Sequence, residues 1–374
     1  MGVSDFFRDL VVVELASVLA GPAVGQFFAE LGARVVKIEN RRTGGDVTRR
    51  WRQQGEDPNR EYSAYYCSTN WGKERHLMDL SELAERETAL ELIAGADVLI
   101  SNFKPASAKR LGLDAKGLRA RFPRLIYAQI HGFGRGDERP AFDVVLQAEA
   151  GFLHMCGYPD GPPAKMPVAL IDLLAAHQLK EGILLALMAR ERSGRGAYVE
   201  TSLLESAIAS LANQGSNWLM NGINPGRMGA AHPNIAPYGS IFRCADGGEL
   251  VIAAGTEAQY HSLCRALEAP GLTEADRFRT NAVRVRHRAE LEDALAEVFA
   301  RYSSGECLQR LEAAGVPVGR IRTMEEVFET SAGQAMVLEE RLPDGTVARA
   351  VRSVAFGLGS SPNDHGVSSG TNGL

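Results

Sequence analysis

The chain has 374 residues, 45% of them hydrophobic and 23% charged, a balance that excludes a mostly disordered chain. Its 41 basic and 46 acidic residues leave a formal charge of −5, so no overall positive field is available to hold a nucleic acid or an anionic membrane. Five separated cysteines (Cys67, Cys156, Cys244, Cys264 and Cys307), with no CxxC pair, speak against a disulfide framework or structural zinc and point to a reducing cytoplasm.

At roughly 100–200 residues per domain, the length predicts two or three domains. The segment 1–10 carries Asp5, Arg8 and Asp9, so neither a signal peptide nor a membrane segment is expected. Residues 10–15 (LVVVEL) and 33–38 (ARVVKI) read as strands, with a helix between them that starts near Pro22 and stops at Gly32. Helices near 81–94 and 114–121 lead into strands at 97–101 (DVLIS) and 125–131 (LIYAQIH). This alternation predicts a parallel, doubly wound sheet. The longest helix-compatible stretch, 168–192, stops at Ser193-Gly194, and a strand at 197–201 and a helix at 203–220 follow.

A Gly/Pro/Asn-rich stretch, 221–229, reads as a linker, after which the pattern becomes α+β. Strands 239–244 and 249–254 flank Asp246-Gly247-Gly248 as a hairpin. Helices near 257–267, 288–301 and 305–314 lead to a strand at 316–321 and a second hairpin around Pro343-Asp344-Gly345. Residues 360–374 are Gly/Ser/Asn-rich and expected to be mobile.

In open α/β sheets, ligands sit at the carboxyl ends of the strands, here the loops 16–22 (ASVLAGP), 39–46 (ENRRTGGD) and 102–105 (NFKP). Arg41, Arg42, Lys73, Lys104 and Arg110 lie in or near such loops, either as solvated charges or as a cluster for a multiply phosphorylated ligand. Glu39 imitates the ribose-binding acid of a dinucleotide fold, but SVLAGPAVG lacks GxGxxG, so NAD is not expected. GxSxG, GxxxxGK[ST] and HExxH are also missing, and no metal is expected. Asp172 stands among apolar neighbours at the entrance to the long helix. It reads either as an N-cap or as a poorly hydrated carboxylate able to attack a carbonyl carbon. His131, ending a strand, is within reach of a ligand.

The ordered fragments VVELASVLAGPAVGQFFAELGARVVKIE, GGDVTRRW, NWGKERHLMDL, DVLISNFKPASAKRLGL, RLIYAQIHGFG and SGRGAYVETSLLES resemble the class III CoA-transferase family, the carnitine-dehydratase/bile-acid-inducible type that includes formyl-CoA transferase. The resemblance runs from about residue 10 to 255 and more loosely to about 356. It implies a Rossmann-like large domain (1–220 and, after the return, 326–374), an inserted smaller α+β domain with its linker (221–325), and an interlocked homodimer. It implies that Asp172 is the nucleophile that accepts an acyl group from an acyl-CoA, forming an anhydride and then an aspartyl-CoA thioester, with coenzyme A entering as substrate. Ser17, Val18, Leu19, Ala20, Lys73, Asn102, Phe103 and Arg110 match CoA contacts. Arg41 matches an adenosine-phosphate contact, with Asn40 as its alternative because of a one-residue length difference, and His131 replaces a lysine of some members. Trp51 and the loop 229–238 (GAAHPNIAPY) resemble segments that cover the acyl group. The α-methylacyl-CoA racemases of the family carry a histidine before an aspartate, whereas this chain has Phe142-Asp143, and phenylalanine cannot transfer a proton. FDVVLQAEAG is similar instead to transferases of short dicarboxylates such as succinate, itaconate, mesaconate or citramalate. SPNDHGV departs from the family's GEHT-like ending, which leaves a CoA-binding protein without catalysis as a further alternative.

Overall fold

The computed structural model describes residues 5–357, so the expected tail and its SPNDHGV departure lie outside the described residues. Two compact units are present. One takes Gly151–Met166 and Asn213–Ser331; the other takes the remaining described residues.

The larger unit is built on a six-stranded parallel sheet in the order β3-β2-β1-β4-β5-β6. Its strands are β1 (Val11–Leu15), β2 (Arg34–Asn40), β3 (Glu74–Met78), β4 (Val98–Ser101), β5 (Ile126–His131) and β6 (Tyr198–Ser202). Helices α1 (Ala20–Glu30), α2 (Leu83–Ala94), α3 (Pro105–Arg110) and α4 (Ala115–Arg121) lie between them in the chain. The order reverses direction between β1 and β4, so the loops after those two strands flank a crevice at the carboxyl edge of the sheet. β3 is not anticipated by apolar patterning. It is an edge strand of sequence ERHLM, and an Arg34–Glu74 fork with bonds of 2.8 and 2.9 Å ties its start to β2.

One face of the sheet is conventional: Val13, Leu15, Val36, Ile38 and Leu99 bury against Ala89 and Ile93 of α2. The other face carries charge. Glu14 and Lys37 are direct partners in the β1–β2 register, both fully buried, with Glu14 Oε1 2.7 Å from Lys37 Nζ. Two glycines let α1 sit close over this face. A Cβ on Gly21 would lie 2.2 Å from the Ala16 Cβ, and one on Gly25 would lie 2.0 Å from Glu14 Oε2.

After β5 the chain forms α5 (Asp143–Glu149), α6 (Leu170–Ser193), and, beyond β6, α7 (Leu203–Ala209). α6 ends where predicted, on Gly194 in the left-handed conformation. The single helix expected at 203–220 is interrupted, because Ser210 Oγ bonds back to Ser206 O and Ala212 takes φ 47°; a separate helix occupies Ala212–Asn221. The second hairpin is present as β10 (Val337–Arg341) and β11 (Val347–Val351), which pair antiparallel.

In the smaller unit, β7 (Tyr238–Arg243), β8 (Glu249–Ala253) and β9 (Val318–Arg320) form an antiparallel sheet. Helices Glu257–Ala266, Arg288–Phe299 and Ser304–Ala313 surround an apolar core that includes Leu263, Leu295, Phe299 and Leu311. All five cysteines are free, and no described helix is long and apolar enough to cross a membrane.

Because α1 rests directly on a buried carboxylate, Gly25→Ala is expected to destabilise the protein by roughly 1–3 kcal/mol through overpacking. Gly95→Ala, whose new Cβ meets nothing closer than 3.8 Å, is the near-neutral control. Urea unfolding of both variants checks this, and equal stabilities would contradict the packing account.

Candidate active site

The loops after β1, β4 and β5 and the first turn of α6 line a cavity of about 180 Å3 that is open on one side. Its wall includes Ser17–Ala20, Asn102, Phe103, His131, Phe142 and Asp172. The β1 loop is held from two sides. Asn102 accepts from Ser17 N at 3.3 Å through Oδ1 and donates to Ser17 O at 3.0 Å through Nδ2. Val18 has φ 74°, an unfavourable conformation for a β-branched residue, and its N–H donates to both Asp46 oxygens at 3.2 and 3.3 Å. Asp46 is itself fixed by Lys37 Nζ at 3.1 Å and Thr48 Oγ1 at 2.8 Å. Glu14 and Lys37 therefore brace, through Asp46, the strained turn that opens the cavity.

Asp172 is not the N-cap of its helix. α6 begins at Leu170, and the free N–H groups of Ile171 and Asp172 donate to Asp143 Oδ2 at 2.6 and 3.3 Å. Asp143, the first residue of α5, supplies the capping carboxylate across 29 positions of sequence. That leaves the Asp172 carboxyl without a hydrogen bond or ion pair among the described residues, although the residue is only 7% exposed. Burial, followed by the charge of Asp143, pushes it up to about 7 from an ordinary 3.8. A carboxylate that is neither hydrated nor paired is a stronger nucleophile than one in water. Aromatic rings stand beside it. Burial and then Asp172 and Asp143 push the Tyr65 phenol up to about 12; the Tyr65 ring meets Trp51 edge-on at 5.1 Å, and Trp51 lies 6.3 Å from Phe142.

A second cavity, of about 750 Å3, opens between the loops after β1 to β4 and shares Ser17 and Phe103 with the first. Arg42, Arg50 and Arg110 line it together with Asn40 and Ser81. Arg110 has no carboxylate partner among the described residues, Arg50 donates to Thr43 O at 2.9 Å, and Arg42 is 3.8 Å from Asp79. Three guanidinium groups on one concave surface suit a ligand with several phosphates.

Two expected CoA contacts are placed elsewhere. Lys73 is fully buried, and its three donors are taken by Glu14 Oε2 (2.8 Å), Pro22 O (2.8 Å) and Asn70 Oδ1 (3.1 Å), so no proton remains for a ligand. Arg41 pairs with Glu85 outside the cavity lining, while Asn40 is in it. Glu39, the imitation of a ribose-binding acid, is saturated by Arg49 (2.7 and 2.8 Å), Tyr66 OH (2.5 Å) and Asp46 N (2.6 Å). Burial opposes its ionisation, but the bonds from Arg49 and Tyr66 outweigh burial and hold it down to about 2. Ser17, Val18, Leu19, Ala20, Asn102, Phe103, His131 and Asp172 are brought together, and Arg110 faces the second cavity. The loop 229–238 belongs to the smaller unit. Among the described residues no cluster of His, Cys, Asp and Glu is arranged to hold a metal ion. Sequence reasoning gave no role to Asp143, Asp46 or Glu14. The available signal was a glutamate inside a valine-rich central strand with a lysine at the matching place of the next.

Comparisons with known proteins show the family. The profile of CoA-transferase family III matches residues 7–370. A succinate–glutarate CoA-transferase of Agrobacterium fabrum is 37% identical over 350 residues, 91% of this chain and 87% of that protein. A succinyl-CoA:mesaconate CoA-transferase of Haloarcula hispanica is 36% identical over 337 residues, covering 88% and 83%. The crystal structure of a CAIB/BAIF family protein from Brucella suis superposes with a TM-score of 0.78 at 37% identity, covering 93% of this chain and 91% of that one. An unpaired buried carboxyl, an arginine-lined cavity beside it and relatives that match most of the chain lead to one conclusion: the chain belongs to CoA-transferase family III.

Proposed function

We propose that the protein moves CoA between short dicarboxylic acids and that Asp172 carries the exchange. The observation that carries this reading is the buried, unpartnered Asp172 carboxyl in the wall of a cavity. The acid class is supported by relatives named for succinate, glutarate and mesaconate. The adenosine phosphates of CoA bind at Arg42, Arg50 and Arg110, and the pantetheine arm passes Ser17 and Phe103, which line both cavities.

Asp172 attacks the thioester carbonyl; the carbon–sulfur bond breaks, leaving an acyl-aspartyl anhydride and CoA thiolate. The thiolate attacks the aspartyl carbonyl, releasing the donor acid and leaving an aspartyl-CoA thioester. An acceptor carboxylate then attacks that thioester to form a second anhydride, and the thiolate takes the new acyl group and frees Asp172. Every step exchanges one activated carboxyl for another, so no external energy source is needed. Asp143 holds the helix start that carries Asp172, and the Trp51–Tyr65–Phe142 rings keep water from the anhydride. Phe142 has no proton to move, so α-proton exchange lacks a second base at that position.

Two copies form an interlocked dimer in this reading. Leu185 and Met188, exposed on α6, and Trp218, Leu219 and Met220, exposed beyond Asn213, are apolar side chains that such an arrangement covers. Sedimentation equilibrium reads this directly, and a monomer at micromolar concentration would overturn it.

With succinyl-CoA as donor and glutarate or mesaconate as acceptor, the wild type is expected to form the new thioester. Asp172→Ala should lose at least about 10³-fold in kcat while retaining CoA binding. Transfer by Asp172→Ala near the wild-type rate would reject the assignment.

The raised Asp172 pKa also fixes a pH dependence. Below about 7 the nucleophile is protonated, so kcat/KM for acyl-CoA should fall tenfold per unit as pH drops and level off above 7. Between about 4 and 7 the folded state binds a proton that the unfolded state has released, so this group's contribution to stability is lost as pH rises. The neutral Asp172→Asn should therefore be more stable than the wild type at pH 8, by up to roughly 3–4 kcal/mol, with the difference vanishing near pH 4. An offset in thermal unfolding that is the same at both pH values would contradict this.

A further inference from the structure

We propose that His131 reads the far carboxylate of the acid activated at Asp172 and thereby sets a preference for dicarboxylates over monocarboxylates. This rests on the transferase reading of the same cavity. His131 ends β5 in the wall of the cavity that holds Asp172, and its side chain is only 8% exposed. Its Nε2 lies 3.3 Å from Glu200 Oε2 on β6. Glu200 is pinned in turn by Tyr198 OH at 2.9 Å and by a fork from Arg135. A carboxylate fixed on Nε2 assigns that nitrogen as an N–H donor and sets the ring plane. Nδ1 has no partner among the described residues. With Nε2 held on Glu200, Nδ1 is the ring nitrogen left to bond a carboxyl group of the ligand.

Of the other basic groups of the cavity, Arg139 pairs with both oxygens of Asp137 at 2.8 to 3.1 Å, and the exposed Lys104 gives one of its three N–H groups to Glu138 O at 2.8 Å; His131 is the one held with its ring nearly buried. The size of the cavity suits the role as well. A cavity of about 180 Å3 corresponds to a sphere roughly 7 Å across, and the carboxyl carbons of a four- or five-carbon diacid are three or four bonds apart. An acid bonded at one end to Asp172 thus has its other end within reach of the cavity wall. Since one aspartate serves both half-reactions in turn, the donor acyl group and the acceptor acid use the same subsite.

The test compares acceptors of equal length, glutarate and pentanoate, with succinyl-CoA as donor, so that effects on the donor half cancel in the ratio of kcat/KM values. Wild type is expected to favour glutarate. His131→Gln should cut that ratio roughly 10–100-fold, the worth of one hydrogen bond to a charged group. His131→Lys should restore part of it, a rescue that a purely structural His131–Glu200 tie would not show. If wild type discriminates and His131→Gln keeps the ratio while lowering both rates equally, the inference is overturned and the transferase reading stands. If wild type transfers CoA to neither acid, nor to any other dicarboxylate, both fall together.

Discussion

A single buried chain of charge connects the centre of the sheet to the mouth of the cavity. Glu14 faces Lys37 across two adjacent strands, Lys37 reaches Asp46, and Asp46 takes the N–H of Val18. Lys73 closes the chain on the other Glu14 oxygen. Removing one partner from such a set leaves an uncompensated buried charge, a loss of about 3–5 kcal/mol, so the group holds together or fails together. Without Asp46 the left-handed turn at Val18 has nothing to offset its strain, and the loop 16–19 loses the shape that forms the cavity wall. Gly21 and Gly25 answer the same constraint from above, since only a helix without side chains at those positions descends onto the charged face.

The chemistry proposed for Asp172 depends on what that frame withholds. Helix starts ordinarily hydrate or bond a carboxylate, which stabilises the anion and dulls it as a nucleophile. Here Asp143 takes the exposed amides of α6, so Asp172 is left with burial alone and a like charge nearby. A carboxylate destabilised in this way gains more from bonding to carbon than one paired with a cation would. In the proposed exchange the product of each step is another activated carboxyl group, with the Trp51, Tyr65 and Phe142 rings standing beside Asp172.

Much of the large-unit sheet was legible because buried parallel strands such as VVVEL, RVVKIEN and VLIS stand out as valine- and isoleucine-rich runs followed by helix starts and glycine stops. β3 was not, because an edge strand with one neighbour tolerates Glu, Arg and His and carries no apolar signal. Asp172 was legible as an acid among apolar residues, but local pattern favoured the cap reading, and the nucleophile reading came from the family resemblance. The cap turned out to be Asp143, 29 positions earlier, and no local window contains that pairing. Lys73 matches a CoA contact only through the family resemblance, and a lysine near a strand start looks alike in sequence whether it faces solvent or lies under a helix. Arg41 and Asn40 differ by one position, which at the end of a strand is enough to exchange the cavity for the surface.

The central claim is that the Asp172 carboxyl itself exchanges an oxygen atom with its substrates. A single turnover of the enzyme charged from succinyl-CoA, with glutarate labelled by 18O in both carboxyl groups, followed by proteolysis and peptide mass spectrometry, tests it most directly. Collapse of the second anhydride leaves one labelled oxygen on the aspartate, so the peptide containing Asp172 should gain one 18O and no other peptide should. Label on a different residue, or product formed with Asp172 unlabelled, would contradict the account.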